Sequence, residues 1–182
     1  IEYIDTIPQG RLGIIAMKGC EELAKKVSDH ICECRAKYEQ DDDNLHLKGY
    51  QRESYLINAT FPRFSTGEGK GVINESIRGY DLFIISDCFN YNVTYKMYNL
   101  KDANGEPLQV PMSPDDHFAD LKRVISACAG KAKRITVVMP MLYEGRQHRR
   151  TARESLDCAL ALQELENMGV SNIITIDAHD PR

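Results

Sequence analysis

The sequence predicts an α/β fold, an open and mainly parallel sheet flanked by helices. Three observations lead there. Leu82–Ser86, Ile135–Met139 and Ile173–Ile176 are runs rich in Ile, Val, Leu and Phe without polar alternation, as expected of strands buried on both faces of a parallel sheet. Other stretches place apolar residues three or four apart, the spacing of helices buried on one side. The two patterns follow one another in the order β-α-β-β-α-β-α-β.

Taken in order, Leu12–Met17 is the first strand. Glu21–Lys37 follows as a helix with Leu23, Val27, Ile31 and Cys34 on its stripe. Glu39–Glu53 is polar, contains Asp41-Asp42-Asp43, and reads as a solvated loop. Tyr55–Phe61 and Leu82–Ser86 are the next strands. Asn90–Ser113 is rich in Tyr and Asn and carries the turn signal Asn104-Gly105, so it reads as a long loop. Loops of that length in compact domains are usually functional or mobile. Ser113-Pro114-Asp115-Asp116 offers cap chemistry to a helix over Phe118–Lys131, with Phe118, Leu121, Ile125 and Cys128 inward. After the strand Ile135–Met139, a helix over Thr151–Met168 carries Leu156, Ala159, Leu160, Leu165 and Met168. Gly169 supplies its stop before the last strand, Ile173–Ile176. The chain has no internal repeat.

The chain has 182 residues, enough for one sizeable core, and 42% hydrophobic with 27% charged residues is ordinary globular composition. A net charge of −4 argues against a nucleic-acid partner, since phosphate-backbone binders present a dominant basic surface. The six cysteines form no CxxC pair, and Cys32 and Cys34 point to different helix faces. Thiols scattered through apolar segments suggest a reducing compartment. With neither a signal-peptide pattern nor a membrane-length apolar run, the expectation is a cytoplasmic protein.

Two segments carry chemistry. Arg146-Gln147-His148-Arg149-Arg150 follows one strand, and Asp177-Ala178-His179 follows another. Ligands of open α/β sheets bind outside the carboxyl ends of strands, where both segments lie. Guanidinium groups make forked contacts with phosphate oxygens, and the adjoining helix start would add N–H donors. A solvated basic loop is the competing reading of the same residues. Asp177 and His179 project to one side of a strand end and could share a divalent cation. A capping Asp beside a structural His is the alternative. The Gly-rich stretch Phe64–Gly71 lacks the GxxxxGK[ST] spacing of a phosphate loop and reads by itself as a turn.

Together these pieces resemble the N-terminal half of the ribose-phosphate pyrophosphokinase family, the phosphoribosyl pyrophosphate (PRPP) synthetases. The resemblance rests on FSTGE at Phe64–Glu68, INESIRGYDLFII at Ile73–Ile85 and AKRITVVMP at Ala132–Pro140. It continues through RQHRR at Arg146–Arg150 and IITIDAH at Ile173–His179. It implies a phosphoribosyltransferase-type α/β fold and a diphosphokinase that transfers a diphosphoryl group from ATP to ribose 5-phosphate with Mg2+. Carried onto this chain, Arg146, Gln147, His148, Arg149 and Arg150 would hold ATP, and Asp177 and His179 would serve the metal. Phe64, Thr66 and Glu68 would form part of an adenine pocket completed across a subunit interface, which implies a homo-oligomer.

Residues 1–182 would then be a single N-terminal, ATP-binding domain. The catalytic loop and the ribose-phosphate loop would lie beyond Arg182, leaving this piece alone inactive. Three departures stand out. Thr66 and His148 replace residues that are acidic or amide in the family's pattern, and Asn90–Ser113 is longer than the family's corresponding region, which contributes to an allosteric nucleotide site. Thr66 and His148 motivate an alternative, a non-catalytic homologue acting as a regulatory or assembly partner.

Overall fold

The structure, a computed structural model, describes residues 8–39 and 51–179. Four parallel strands form the main sheet in the order β1-β4-β7-β8: β1 (Arg11–Ala16), β4 (Tyr80–Ile85), β7 (Arg134–Val138) and β8 (Asn172–Ile174). The expected strand over Tyr55–Phe61 is much reduced. Its first part lies parallel to the outer edge of β1, where the Ile14 N–H donates to the Tyr55 carbonyl and the Ile57 N–H to that of Ile14, both at 2.8 Å. Its end forms β2 (Ala59–Thr60), antiparallel to β3 (Val72–Ile73).

Alternation along the strands sorts their side chains to two faces. Ile14 and Ile85 face α1 (Glu21–Glu39) through Ala24, Val27, Ile31 and Cys32. Ile15, Leu82, Ile84, Ile135 and Val137 face α2 (Pro114–Cys128) and α3 (Asp157–Asn167). The sheet is therefore covered on both sides over β1, β4 and β7, which is why those strands are mostly apolar. The edge strand β8 is the exception: it stops at Ile174, which is half exposed, and Ile176 is exposed beyond it, so the expected burial of Ile173–Ile176 on both faces does not hold. At the amino end of the sheet the Arg134 guanidinium clasps the Asp81 carboxylate, with Nε donating at 2.8 Å and Nη2 also bonded. This pairing raises the arginine pKa and ties β4 to β7.

The helices confirm the pattern and correct its details. In α1 the inward stripe is Ala24, Ser28 and their neighbours, while Leu23 is exposed. The stripe of α2 is as expected, and Ser113 and Asp116 form a reciprocal capping box at its start. It ends at Cys128, earlier than Lys131. In α3 the first six expected residues are not helical. Thr151 bonds to Glu154 and Ser155 to Asp157 instead. Helix begins only where Cys158, Ala161 and Leu165 reach the core, and Leu160 points outward. Gly169, at φ 94°, closes α3 in a Schellman motif: its N–H donates to Glu166 and that of Val170 to Leu165.

The largest difference lies in Asn90–Ser113, which folds as a hairpin of β5 (Thr94–Lys101) and β6 (Pro107–Pro111). Asn104 and Gly105 sit at its tip, where the turn signal put them. Alternation is present, with Tyr95 and Met97 turned inward between exposed Thr94, Lys96 and Tyr98. The apolar content is too low for the pattern to stand out. The polar stretch Glu39–Glu53 lies mostly outside the described residues. Among the described residues, no helix is long and apolar enough to cross a membrane.

Candidate functional site

The carboxyl ends of β4, β7 and β8 open into a cleft of about 380 Å3. Backbone bonds past the strand ends hold its mouth together. The N–H groups of Ile176 and Asp177 donate to the Pro140 carbonyl at 3.0 and 2.9 Å, and the Leu142 N–H donates to Asp177 O at 3.2 Å. The segments after β7 and β8 thus run side by side, which brings Arg146, Asp177 and His179 to one cavity.

The floor is built from Tyr143 stacked on Phe118, with ring centroids 4.3 Å apart. The Tyr143 hydroxyl donates to Asp115 at 2.7 Å, at the start of α2. Burial first, and then the Asp115 carboxylate, drive the phenol's pKa upward, so it remains a donor. Glu144 lies beside it at φ 55°, in the left-handed region that a non-glycine residue rarely adopts. Its carbonyl accepts from the Gln147 N–H at 2.8 Å, turning the chain sharply just before the basic run. Burial raises the Glu144 pKa, and Asp157 and Asp115 add to the rise. Phe89 and Tyr91 supply an aromatic wall.

Of the basic run only Arg146 lines the cleft. Gln147, Arg149 and Arg150 are exposed beyond its rim. His148 packs on His179, with ring centroids 5.4 Å apart, and its Nδ1 lies 3.2 Å from the Gly145 carbonyl. The expected helix start is not here, because α3 begins at Asp157, so no helix N-terminus adjoins the basic run. Arg146 is exposed in the cleft lining and makes no ion pair among the described residues.

Asp115, Glu144 and Asp177 give the cleft a marked negative character beside Arg146. A bare polyphosphate would be repelled there, whereas the same anion carrying a divalent cation would not. Among the described residues, no group of three or more His, Cys, Asp or Glu is arranged to hold a metal. Two groups of a kind that can ligate metals, the Asp177 carboxylate and the His179 imidazole, line the cleft.

Phe64, Thr66 and Glu68 do not line this cleft. They sit on a tight turn closed by Phe64 N–H to Glu68 O at 2.8 Å and Gly67 N–H to Phe64 O at 2.9 Å. Gly67 has φ 92°, and the Thr66 hydroxyl donates to Glu68 at 2.9 Å. The Phe64 ring is 56% exposed at the tip. A single chain therefore keeps the two sets of candidate residues in separate places.

Residues 12–169 match the family described as the N-terminal domain of ribose phosphate pyrophosphokinase. The chain belongs to that family. Among curated relatives, ribose-phosphate pyrophosphokinase of Staphylococcus saprophyticus is 29% identical over 173 residues, 94% of this chain and 40% of the relative. The Vibrio vulnificus protein of the same name is 34% identical over 128 residues, 68% of this chain and 33% of that one. The crystal structure of phosphoribosylpyrophosphate synthetase from Mycobacterium smegmatis superposes with a TM-score of 0.58 at 20% identity, over 94% of this chain and 44% of the other. This bears out the phosphoribosyltransferase-type fold. The chain spans about 40% of the length of the first of these pyrophosphokinases.

Of the residues that the sequence offers as site candidates, Arg146, Asp177 and His179 line one cleft. Sequence reasoning did not single out Asp115, Tyr143, Glu144, Phe89 or Tyr91 as site residues. Asp115 was visible only as cap chemistry. The others carry no local signal, because their place depends on how the segments after β4 and β7 fold back.

Proposed function

We propose that this chain is the ATP-binding half of a ribose-phosphate diphosphokinase. The observation that carries the reading is Arg146 sharing one cleft with Asp177 and His179, at the sheet end where ligands of this fold class bind. The reaction joins the 1-hydroxyl oxygen of ribose 5-phosphate to the β-phosphorus of ATP. The bond from that phosphorus to the α-phosphate oxygen breaks, AMP departs, and the hydroxyl proton is lost. Little of this needs covalent help from side chains, so the protein's task is to align the reactants and neutralise charge.

In this reading Arg146 grips phosphate oxygens with its fork, and Gln147, His148, Arg149 and Arg150 extend the anionic site at the rim. Asp177 and His179 hold Mg2+, which supplies charge neutralisation on the polyphosphate when bound. Phe64, Thr66 and Glu68 face a neighbouring copy, where the exposed Phe64 ring covers the adenine and completes the site in a homo-oligomer. The chain spans about 40% of the length of the Staphylococcus saprophyticus relative, and in this reading turnover belongs to the full-length protein and not to residues 1–182 alone. A cytoplasmic location suits six free thiols.

The second reading, a non-catalytic partner of a synthetase, draws on two contacts. Thr66 spends its hydroxyl on Glu68 within its own turn, and His148 packs on the proposed metal ligand His179. Formation of PRPP and AMP from Mg-ATP and ribose 5-phosphate by the full-length protein decides between them. Turnover upholds the enzyme. Its absence, together with altered activity of a co-purified synthetase, upholds the partner.

A further inference from the structure

A buried ionic hub lies beneath the Phe64–Glu68 turn, apart from the cleft. Arg63 Nη2 and Asp120 Oδ2 pair there at 2.6 Å, with their side chains only 7% and 4% exposed. The other Asp120 oxygen accepts from Arg123 at 2.6 Å. The same Arg63 guanidinium donates through Nη1 to the Gly67 carbonyl at 3.0 Å, and it lies 4.6 Å from the centre of the Tyr95 ring. The turn, α2 and strand β5 of the hairpin therefore meet on one planar cation.

The neighbourhood has no slack. A Cβ at Gly69 would fall 2.6 Å from Asp120 Oδ1 and 2.7 Å from Arg123 Nη1. One at Gly67 would fall 3.2 Å from the Tyr95 ring. Arg63 Nε is buried with no hydrogen-bond partner. A buried ion pair with an unsatisfied donor is a poor way to gain stability, since apolar residues of similar volume often serve as well. What the hub does supply is a fixed position for the Gly67 carbonyl. Only a guanidinium combines two in-plane donors with a face that stacks on an aromatic ring.

We propose that Arg63, Asp120 and Tyr95 are positioning residues that set the shape in which the Phe64–Glu68 turn receives the nucleotide base, making the β5–β6 hairpin part of nucleotide recognition. This rests on reading the turn as adenine-contacting.

The test uses Arg63→Lys, which keeps the charge facing Asp120 and loses the fork to Gly67, and Tyr95→Leu, which removes the ring and leaves the ion pair. Amide exchange at Phe64 and Gly67 is followed by NMR, with Leu82 and Ile84 of β4 as reference. Either variant speeds exchange in the turn by about tenfold and leaves β4 unchanged. In the full-length protein, KM for ATP rises while kcat stays within about twofold. Unchanged exchange in the turn overturns the proposal whatever the turn binds. Equal acceleration in β4 also overturns it, since the hub would then serve global stability. Faster exchange confined to the turn with an unchanged KM upholds the hub as its support and counts instead against the adenine reading.

Discussion

Arg146 and Asp177 bring opposite charges to one cleft. The guanidinium presents two parallel donors to a phosphate, whereas an ammonium at the same place is a point charge. We expect Arg146→Ala to raise KM for ATP in the full-length protein by about tenfold or more, equivalent to losing a charged hydrogen bond of about 1.5–3 kcal/mol. Arg146→Lys should recover part of that loss. Initial-rate kinetics on the three proteins checks both. A Lys variant no better than Ala would mean that fork geometry matters and charge does not. At this scale residue type alone marks Arg146, Asp177 and His179 as candidates, and the structure lines one cleft with all three. The sequence was mute where a side chain acquires its role from a neighbour. Tyr143 becomes a fixed donor only because α2 puts Asp115 2.7 Å from its hydroxyl.

The elements that position the site were legible in proportion to the apolar surface they bury. Strands β1, β4 and β7 fall within two residues of expectation, since buried runs have few alternative uses. The start of α3 was not legible. Thr151–Leu156 have adequate helix formers but almost nothing to pack, and tertiary burial decides where a helix begins. As a consequence, the basic run ends on an irregular segment rather than at a helix N-terminus. Hairpin β5–β6 was hidden for the opposite reason. Its strands are held by pairing with each other and by Tyr95 and Met97 lying over the turn at Gly67, which is a long-range contact that periodicity does not report.

At the scale of the molecule, the core also carries a pH dependence. Burial pushes the thiols of Cys20, Cys88 and Cys128 from an ordinary 9.0 up to about 11, about 12 and about 11. Each therefore stays protonated in the native state after the unfolded chain has begun to lose that proton. Stability is fully present below about pH 9 and falls as pH rises through the native values. Urea midpoints measured from pH 8 to 11 should decline, and Cys88→Ala should flatten the decline. A midpoint constant across that range would show that the thiols titrate alike in both states.

The whole account turns on the cleft beside Arg146 being a site for a nucleotide carrying its metal. Calorimetric titration of the full-length protein with ATP, in Mg2+ and then in EDTA, addresses this directly. The expected result is saturable binding of Mg-ATP, at least about tenfold weaker without the metal, with Asp177→Asn abolishing the magnesium-dependent gain. Equal affinity with and without Mg2+, or a gain that survives Asp177→Asn, would contradict it.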